Sequence, residues 1–303
     1  MQGYFALCRF CNQKCRTCPT DITNKKGDWI DFTLLKGNIA LAMKRGMNEI
    51  CLSGGEPLAY PHFDDLIDYL AKVKLRVTIL TNATLMEDKY IKHLLKIKNH
   101  VRIVTAIHHF EKDKHDDITQ TPGSFDKVMN GLRKLNSLGF MISVKIILNK
   151  INYLSLKEMY CFLLNNFENY FAIDVCGMDY SGEARNNMDL FINGQETKKS
   201  LEDLAIFHVS KLDKKPRLSF SEFPICFMDK HSIMLLVQKQ SRSNFAYEST
   251  ESGIVFNSPY SCGPFSMKCR SCLFEKTCPG IWANNLKEQE EDLVPLGVST
   301  NEQ

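Results

Sequence analysis

The chain contains no long run of apolar residues and little net charge. None of its 303 residues falls in an apolar stretch of about 18 or more, which a membrane-spanning helix needs, so we expect no membrane partner. Met1–Cys8 lacks the charged region and the small-residue cleavage site of a signal peptide. A net charge of only +3 is too small to indicate binding to nucleic acid. No internal repeat or low-complexity tract is present.

Cysteine, by contrast, is abundant, with twelve residues. An even count would permit disulfides in a secreted chain. Most of these cysteines cluster at 8–18 and 226–278 with the spacing of metal ligands, and nothing indicates export. We therefore expect reduced thiols and a cytoplasmic location. Hydrophobic residues make up 44% of the chain, enough for one large domain or a barrel with an appendage.

Strand and helix patterns alternate along the first 180 residues. The predicted strands cover residues 4–10, 49–53, 75–81, 101–108, 140–148 and 170–177, and the predicted helices cover 32–45, 62–72, 87–98, 124–138 and 153–166. Such alternation predicts parallel βαβ units and an α/β fold. Six units are too few for a closed eight-fold barrel.

Two motifs carry the functional information. Cys11, Cys15 and Cys18 have the spacing C-x3-C-x2-C, and Gly54–Pro57 reads Gly-Gly-Glu-Pro directly after an apolar run. The cysteine motif alone would also fit a zinc site or chance spacing. The two motifs in this order and at this separation resemble the radical S-adenosylmethionine (SAM) superfamily. The resemblance covers roughly residues 4–185 and implies a partial (β/α)6 TIM-like barrel.

In the resembled family, three thiolates hold three irons of a [4Fe–4S] cluster, and SAM ligates the fourth through its amine and carboxylate. The reduced cluster then cleaves SAM to a 5′-deoxyadenosyl radical, which abstracts hydrogen from a substrate. The resemblance assigns the iron ligands to Cys11, Cys15 and Cys18. Gly54 and Gly55 would let the backbone approach SAM. Glu56, in the same turn as Pro57, would accept a bond from the SAM ammonium.

Three further residues are candidates for SAM binding. Thr81 and Asn82 end the third predicted strand, where the family often contacts the SAM ribose; the alternative is an ordinary Asn turn. Lys145 alternates with Val144 and Ile146, so it lies on the strand face opposite the apolar set. In a barrel wrapped by helices that face is the lumen, where Lys145 would meet the SAM carboxylate; the alternative is a solvated lysine.

The candidates for catalysis follow later strands. His108 and His109 come at the end of the fourth strand, at the rim where barrel active sites lie; surface histidines are the alternative. Asp174 and Cys176 share one face of the sixth strand. Cys176 would either donate a hydrogen atom to a substrate radical or be a buried inert thiol. We expect the remaining isolated cysteines to be packing residues: Cys8, Cys51 and Cys161.

A second cysteine set lies near the C-terminus. Cys269, Cys272 and Cys278 form C-x2-C-x5-C, and this resembles the auxiliary-cluster extension called SPASM, or its shortened form, Twitch. The fuller pattern has a further cysteine where Trp282 stands, which argues for one auxiliary [4Fe–4S] cluster. We expect Cys262 to be the fourth ligand because a short loop costs least entropy on closure. Cys226 is the alternative ligand, and structural zinc is the alternative metal.

These motifs divide the chain into four parts. Residues 1–185 are predicted to form the radical SAM core, and 186–222 a linker or outer helix. Residues 223–286 would form the small cysteine-rich iron–sulfur domain, and 287–303 a polar tail.

The combined prediction is a radical SAM enzyme that modifies a ribosomally made peptide or protein by crosslinking, thioether formation or epimerisation. The alternatives are an oxidoreductase of a small metabolite and a non-catalytic iron–sulfur regulatory or assembly protein. A reductant such as flavodoxin or ferredoxin is an expected partner. Only ten residues precede Cys11 in this sequence, so we expect a separate protein or the C-terminal region to grip any leader peptide.

Overall fold

The fold is built around one large sheet. A computed structural model of the chain describes residues 2–20, 22, 27–169, 171–211, 216–236, 245–250, 253–256, 262–263 and 266–297. The strands are β1 (Gln2–Ala6), β2 (Glu49–Ser53), β3 (Arg76–Leu80), β4 (Val101–Ala106), β5 (Met141–Ile147), β6 (Phe171–Cys176), β7 (Arg217–Ser221), β8 (Phe245–Thr250), β9 (Gly253–Phe256), β10 (Cys262–Gly263) and β11 (Ile281–Trp282). The helices are α1 (Phe32–Lys44), α2 (Phe63–Val73), α3 (Asp88–Leu94), α4 (Lys112–Thr119), α5 (Ser124–Ser137), α6 (Leu156–Asn166), α7 (Gly194–Ser210) and α8 (Leu286–Gln289).

Strands β1 to β7 lie side by side in chain order, and every neighbouring pair is parallel. On the other side of β1, β8 adds a parallel strand and β9 pairs antiparallel with β8. Strands β7 and β9 are therefore the edges of the sheet among the described strands, and the sheet does not close. The predicted partial α/β barrel is confirmed. Strands β10 and β11 form a separate antiparallel pair.

The two faces of the sheet differ in character. In β5, Ile142, Val144 and Ile146 are fully buried against the helices, while the intervening Lys145 points to the other face and is partly exposed. The same alternation occurs in β6, where Ile173 and Val175 are fully buried. The period of two thus separates an apolar, helix-covered face from a polar concave face. We call this concave face the lumen.

Helix ends follow local chemistry. The Asp31 carboxylate caps α1 by accepting the Leu34 N–H at 2.9 Å, as the sequence predicts. Helix α5 begins at Ser124, and Gly123 is its capping position, which has no side chain to accept a hydrogen bond. The Asp116 carboxylate performs the capping from outside the helix: its Oδ1 accepts from the Ser124 hydroxyl and the Phe125 N–H, each at 2.8 Å.

The structure adds elements that the alternating pattern did not reveal. Helix α4 is short and polar, and it fills the connection between β4 and α5. Strand β7 extends the parallel sheet inside the region predicted as a linker or outer helix, and α7 is a long helix in the same region. Leu218 and Phe220 supply the buried face of β7, so the strand is short but follows the period of two.

No helix among the described residues is both long enough and apolar enough to cross a membrane.

Candidate metal and cofactor sites

The first three predicted ligands lie in one loop after β1. Each of the three side chains is partly buried. The pKa of Cys11 is raised to about 12, mainly by burial, with contributions from the negative charges of Glu56 and Cys18. Burial also raises the pKa of Cys15, and charges on Cys11 and Cys18 add to the effect. Thiols in such surroundings ionise only when a bound cation compensates their charge, which fits metal ligands.

Backbone hydrogen bonds hold this loop in place. The Lys14 N–H donates to Thr119 O at 3.2 Å, and the Arg16 N–H donates to Ile118 O at 2.8 Å. The loop therefore rests on the C-terminal end of α4. The Arg16 guanidinium adds an ion pair of 2.7 Å to Asp117. On the opposite side, Cys18 O accepts from the Ala184 N–H at 3.0 Å.

The glycines of the Gly-Gly-Glu-Pro turn are required by backbone packing against the chain that precedes Cys11. Gly54 has a φ of +122°, and a Cβ there would lie 2.3 Å from Cys8 O. A Cβ on Gly55 would lie 2.1 Å from Phe10 O. Neither approach is possible for another residue. The Gly55 N–H donates to Cys8 O at 2.7 Å, so the turn and the cysteine loop form one unit.

Glu56 is fully buried and its carboxylate joins two strand ends. Its Oε1 accepts from the Thr81 hydroxyl at 2.6 Å and from the Leu58 N–H at 2.9 Å. Its Oε2 accepts from the Asn82 N–H at 2.7 Å. Burial raises the pKa of Glu56 although these donors oppose the rise. The role predicted for Glu56, binding of the SAM ammonium, stays a prediction.

Asn82 connects this carboxylate to the cysteine loop. Its side-chain N–H donates to the Asn12 side-chain oxygen at 2.8 Å and lies 3.8 Å from the Cys11 sulfur. The predicted SAM residues Gly54, Gly55, Glu56, Thr81 and Asn82 are thus contiguous with Cys11. Pro57 begins the short 3-10 helix that follows the turn.

Cys8 is close to the turn but is oriented away from the predicted ligands. Its thiol donates to Phe10 O and to Glu56 O, each at 3.4 Å. Burial raises the pKa of Cys8 to about 11. Cys8 is therefore a packing thiol, as the sequence predicts.

Several charged side chains lie together in the lumen on β5, on β6 and directly after β7. The Lys145 Nζ lies 3.9 Å from the Glu222 carboxylate. The Asp174 carboxylate accepts from the hydroxyls of Ser219 and Ser221, each at 2.9 Å. The structure thus places Lys145 in the lumen, as predicted, but with an acidic neighbour that sequence reasoning missed.

Glu222 escaped the sequence analysis because it lies in the predicted linker. It follows β7 directly and has a φ of +65°, a backbone conformation that residues other than glycine rarely adopt. Its carbonyl oxygen would lie 2.4 Å from a Cβ on Gly177. The alternation of Leu218 and Phe220 was the available signal for a strand ending here.

Cys176 and His108, two candidates for catalysis, are both buried. Burial raises the pKa of Cys176, so the thiol is neutral. Burial lowers the pKa of His108 to about 3, and the His108 backbone N–H donates to His115 Nδ1 at 3.3 Å. His109 is also fully buried, so the alternative of two surface histidines is wrong. A catalytic role for Cys176, Asp174 or His108 stays a prediction.

The second cysteine set surrounds a cavity beside β11. Cys226, Cys269, Cys272 and Cys278 line about 430 Å³ of space, which includes solvent at its mouth. Its walls are largely apolar, with Ile225, Ile281 and Leu293 among them. The pKa of Cys226 is raised to about 11, mainly by burial, with contributions from the charges of Cys278 and Cys269.

Backbone N–H groups point at two of these sulfurs. The Ile225 and Gly280 N–H groups donate to the Cys278 sulfur at 3.3 Å, and the Leu296 N–H donates to the Cys272 sulfur at 3.4 Å. Such bonds tune the potential of iron–sulfur clusters. Cys262 lies in β10 opposite Trp282, and its side chain falls outside the described part of the chain. The structure therefore brings Cys226, the alternative ligand, to the other three.

All-sulfur donors around this cavity fit an iron–sulfur cluster. Structural zinc stays the alternative metal.

Known proteins resemble this chain in sequence. The antilisterial bacteriocin subtilosin biosynthesis protein AlbA of Bacillus subtilis is 23% identical over 159 residues, 52% of this chain and 36% of AlbA. A probable GTP 3′,8-cyclase of Methanocella arvoryzae is 30% identical over 141 residues, 46% of this chain and 45% of the cyclase. The chain therefore matches less than half the length of these curated relatives.

Among solved structures, Streptococcus suis SuiB bound to the precursor peptide SuiA matches 99% of this chain and 75% of that chain. The TM-score is 0.73 at 15% sequence identity, so the likeness concerns the fold. The family model of the radical SAM superfamily matches residues 6–162, which is just over half of the sequence and includes the cysteine loop, the Gly-Gly-Glu-Pro turn and β2 to β5. The chain belongs to the radical SAM superfamily.

Proposed function

We propose that this radical SAM enzyme cleaves SAM at a [4Fe–4S] cluster held by Cys11, Cys15 and Cys18, and that its substrate is a peptide. The observation that carries the first part is the contiguity of the cysteine loop with the Gly-Gly-Glu-Pro turn. When reduced, the cluster supplies the electron that breaks the C5′–S bond of SAM. Three protein ligands leave one iron open to SAM.

The residues around the loop would orient SAM. Asn82, which touches both Asn12 and the Cys11 sulfur, is placed to face the ribose or the methionine part. Lys145 and Glu222 lie deeper in the lumen. We propose that Lys145 pairs with the SAM carboxylate, as the sequence suggested, and that Glu56 and Thr81 fix the turn around the SAM ammonium.

We further propose one auxiliary cluster in the cavity lined by Cys226, Cys269, Cys272 and Cys278. Four thiolates close the coordination of a cluster, so this site would transfer electrons rather than bind SAM. Single substitutions test the ligand set: Cys226→Ala should lower the iron content of the reconstituted protein, whereas Cys262→Ala should leave it unchanged. The opposite result would restore Cys262 as the fourth ligand.

A peptide substrate is supported by SuiB, whose structure with SuiA matches nearly the whole chain, and by AlbA, which takes part in bacteriocin biosynthesis. The open sheet also supports it, because an unclosed barrel admits an extended chain from the side. The second candidate is a small nucleotide-like substrate, favoured by the identity of 30% to a probable GTP 3′,8-cyclase.

The partners of the enzyme follow from this chemistry. A flavodoxin or ferredoxin would reduce the clusters, and a separate leader-binding protein would increase peptide affinity. All eleven cysteines whose side chains are described are free thiols, which supports our proposal that the protein works in the reducing cytoplasm.

Deuterium transfer tests the proposed substrate class. Reconstituted enzyme is reduced with dithionite and given SAM with deuterated peptides encoded beside its gene, or with deuterated GTP. We expect deuterium in 5′-deoxyadenosine from a peptide. Transfer from GTP alone would favour the second candidate. Cys161→Ala serves as a cysteine control because Cys161 lies on α6, away from both cysteine sets.

A further inference from the structure

One asparagine links the C-terminal cysteine cavity to the rest of the molecule. Asn285 is 2% exposed and both ends of its amide cross to the loop after β6. Its Oδ1 accepts from the Tyr180 N–H at 2.9 Å, and its Nδ2 donates to Met178 O at 2.7 Å. The Asn285 side chain thus supplies hydrogen-bond partners to the backbone of a segment that lies outside the sheet and has no neighbouring strand among the described residues to supply them.

That segment, residues 178–190, has only a small apolar core of its own. Met178, Tyr180, Ala184 and Leu190 form a cluster separate from the main core. A region with few buried apolar contacts opens at a lower free energy than the sheet does. Its two bonds to Asn285 therefore act together with the ion pair from Arg16 to Asp189 and the bond from the Lys150 N–H to Leu190 O in fixing its position.

The same segment holds the Cys18 end of the first cysteine loop. The Ser181 hydroxyl donates to Pro19 O at 2.8 Å. The Ala184 N–H donates to Cys18 O at 3.0 Å. A Cβ on Gly182 would lie 2.6 Å from the Thr20 nitrogen, so the two backbones are in direct contact.

We propose that Asn285 is a positioning residue that couples the C-terminal cysteine cavity to Cys18. The cavity ligand Cys278 lies shortly before Asn285, on the chain that continues through β11. Order around the cavity therefore fixes Asn285, Asn285 fixes residues 178–184, and these fix Cys18. Any effect of this coupling on SAM cleavage rests on the proposed function, whereas the coupling itself does not.

Hydrogen exchange at the Ala184 N–H tests the coupling, because this amide reports the contact with Cys18. In Asn285→Ala we expect exchange to be about ten-fold faster, since two buried hydrogen bonds are lost. Asn284→Ala is the matched control: Asn284 is an exposed neighbour that makes one bond of 3.2 Å to Asp179. We expect it to stay within about two-fold of the wild type.

The amides of Ile79 and Ile103, in the centre of the sheet, show whether the effect is local. They should exchange as in the wild type. Asn285→Asp puts a buried carboxylate oxygen against Met178 O in place of the donor, so it should accelerate exchange at Ala184 at least as much as Asn285→Ala does. Unchanged exchange at Ala184, or equal acceleration at Ile79 and Ile103 in both Asn285 variants, would overturn the proposal.

A second measurement uses the cavity itself. Cys272→Ala, compared with wild type after iron–sulfur reconstitution, should also accelerate exchange at Ala184, because linkage between two sites acts in both directions. Formation of 5′-deoxyadenosine is recorded separately. If the wild type forms it and Ala184 does not respond to either variant, the coupling fails alone; if Ala184 responds and no 5′-deoxyadenosine forms, the proposed function fails alone.

Discussion

The two cysteine sets of this protein differ in how the chain assembles them. Cys11, Cys15 and Cys18 lie in one short loop at the C-terminal mouth of the sheet. The second set joins Cys226, from the loop after β7, to three cysteines of the C-terminal segment. The first set lies within one short stretch of sequence, so its motif can be recognised from the sequence alone. The residues of the second set come together only in the tertiary structure.

The support of the two sets differs as well. The first loop is held by backbone N–H groups of Lys14 and Arg16 that donate to Thr119 O and Ile118 O, and the Asn82 amide lies 3.8 Å from its Cys11 sulfur. In the second set, N–H groups of Ile225, Gly280 and Leu296 point at the sulfurs themselves. Three protein ligands would leave one iron of a cluster free for an exchangeable ligand, and four in an apolar cavity suit electron transfer.

The largest expected effect separates the two sets by activity. Cys15→Ala should lower the rate of 5′-deoxyadenosine formation by about 100-fold or more, which corresponds to at least about 2.7 kcal/mol. Cys226→Ala should lower it far less, because SAM does not bind at the second set. Anaerobic rate measurements with Cys161→Ala as the control decide this. Equal losses in the two variants would contradict the division of roles.

Acid should loosen the region of the first set before that of the second. Burial lowers the pKa of His108 to about 3 and that of His115 to about 4. Both therefore stabilise the fold fully above the unfolded pKa of 6.5, and this contribution is lost as pH falls toward the folded values. Each pH unit below 6.5 costs about 1.4 kcal/mol per histidine. His115 belongs to α4, whose end supports the cysteine loop.

Urea unfolding of the cluster-free protein measures this effect. Between pH 6.5 and 5.5 the wild type should lose about 2–3 kcal/mol more than His108→Gln/His115→Gln. Equal losses of unfolding free energy in the wild type and the double variant would show that these histidines are not buried in the neutral form.

Glu56 distinguishes positioning from direct binding at the first set. Glu56→Ala leaves the Asn82 N–H and the Thr81 hydroxyl without an acceptor, at a cost of about 1–3 kcal/mol in unfolding free energy. SAM affinity, measured by calorimetry, should fall about ten-fold or more. Glu56→Gln separates the roles: a positioning residue keeps most of the affinity in this variant, whereas a direct partner of the SAM ammonium loses it without loss of stability.

The smallest expected effect concerns Glu222, at the joint between the two regions. Its φ of +65° costs about 1 kcal/mol for a residue other than glycine. Glu222→Gly should therefore raise the unfolding free energy by about 0.5–1 kcal/mol. Gly177→Ala is the opposing variant and should destabilise, because its Cβ would meet Glu222 O. A loss of stability in Glu222→Gly would show that its side-chain contacts outweigh the strain.

Much of the fold was predictable because it follows periodicity. Strands β2 to β6 lie within two residues of their predicted bounds at either end, since Ile142, Val144 and similar sets alternate clearly. Helix α4 was missed because it is polar and short. Strand β7 was missed because five residues between polar segments give a weak signal.

The candidate sites show the same limit. The spacing of Cys11, Cys15 and Cys18 carried the prediction of the first set, and the structure places all three in one loop beside the Gly-Gly-Glu-Pro turn. Cys262 was expected to be the fourth ligand, rather than Cys226, because a short loop costs less entropy on closure. The structure brings Cys226 to the cavity because β7 directs the following chain toward it. Glu222 and Asn285 carry no motif, and only tertiary contacts reveal them.

The measurement that tests the central claim most directly is SAM cleavage by the reduced, reconstituted protein. We predict that wild type and Cys269→Ala/Cys272→Ala both form 5′-deoxyadenosine, while the triple variant Cys11→Ala/Cys15→Ala/Cys18→Ala forms none above background. Formation at the wild-type rate by the triple variant would contradict the assignment of the SAM-cleaving cluster to the first cysteine set.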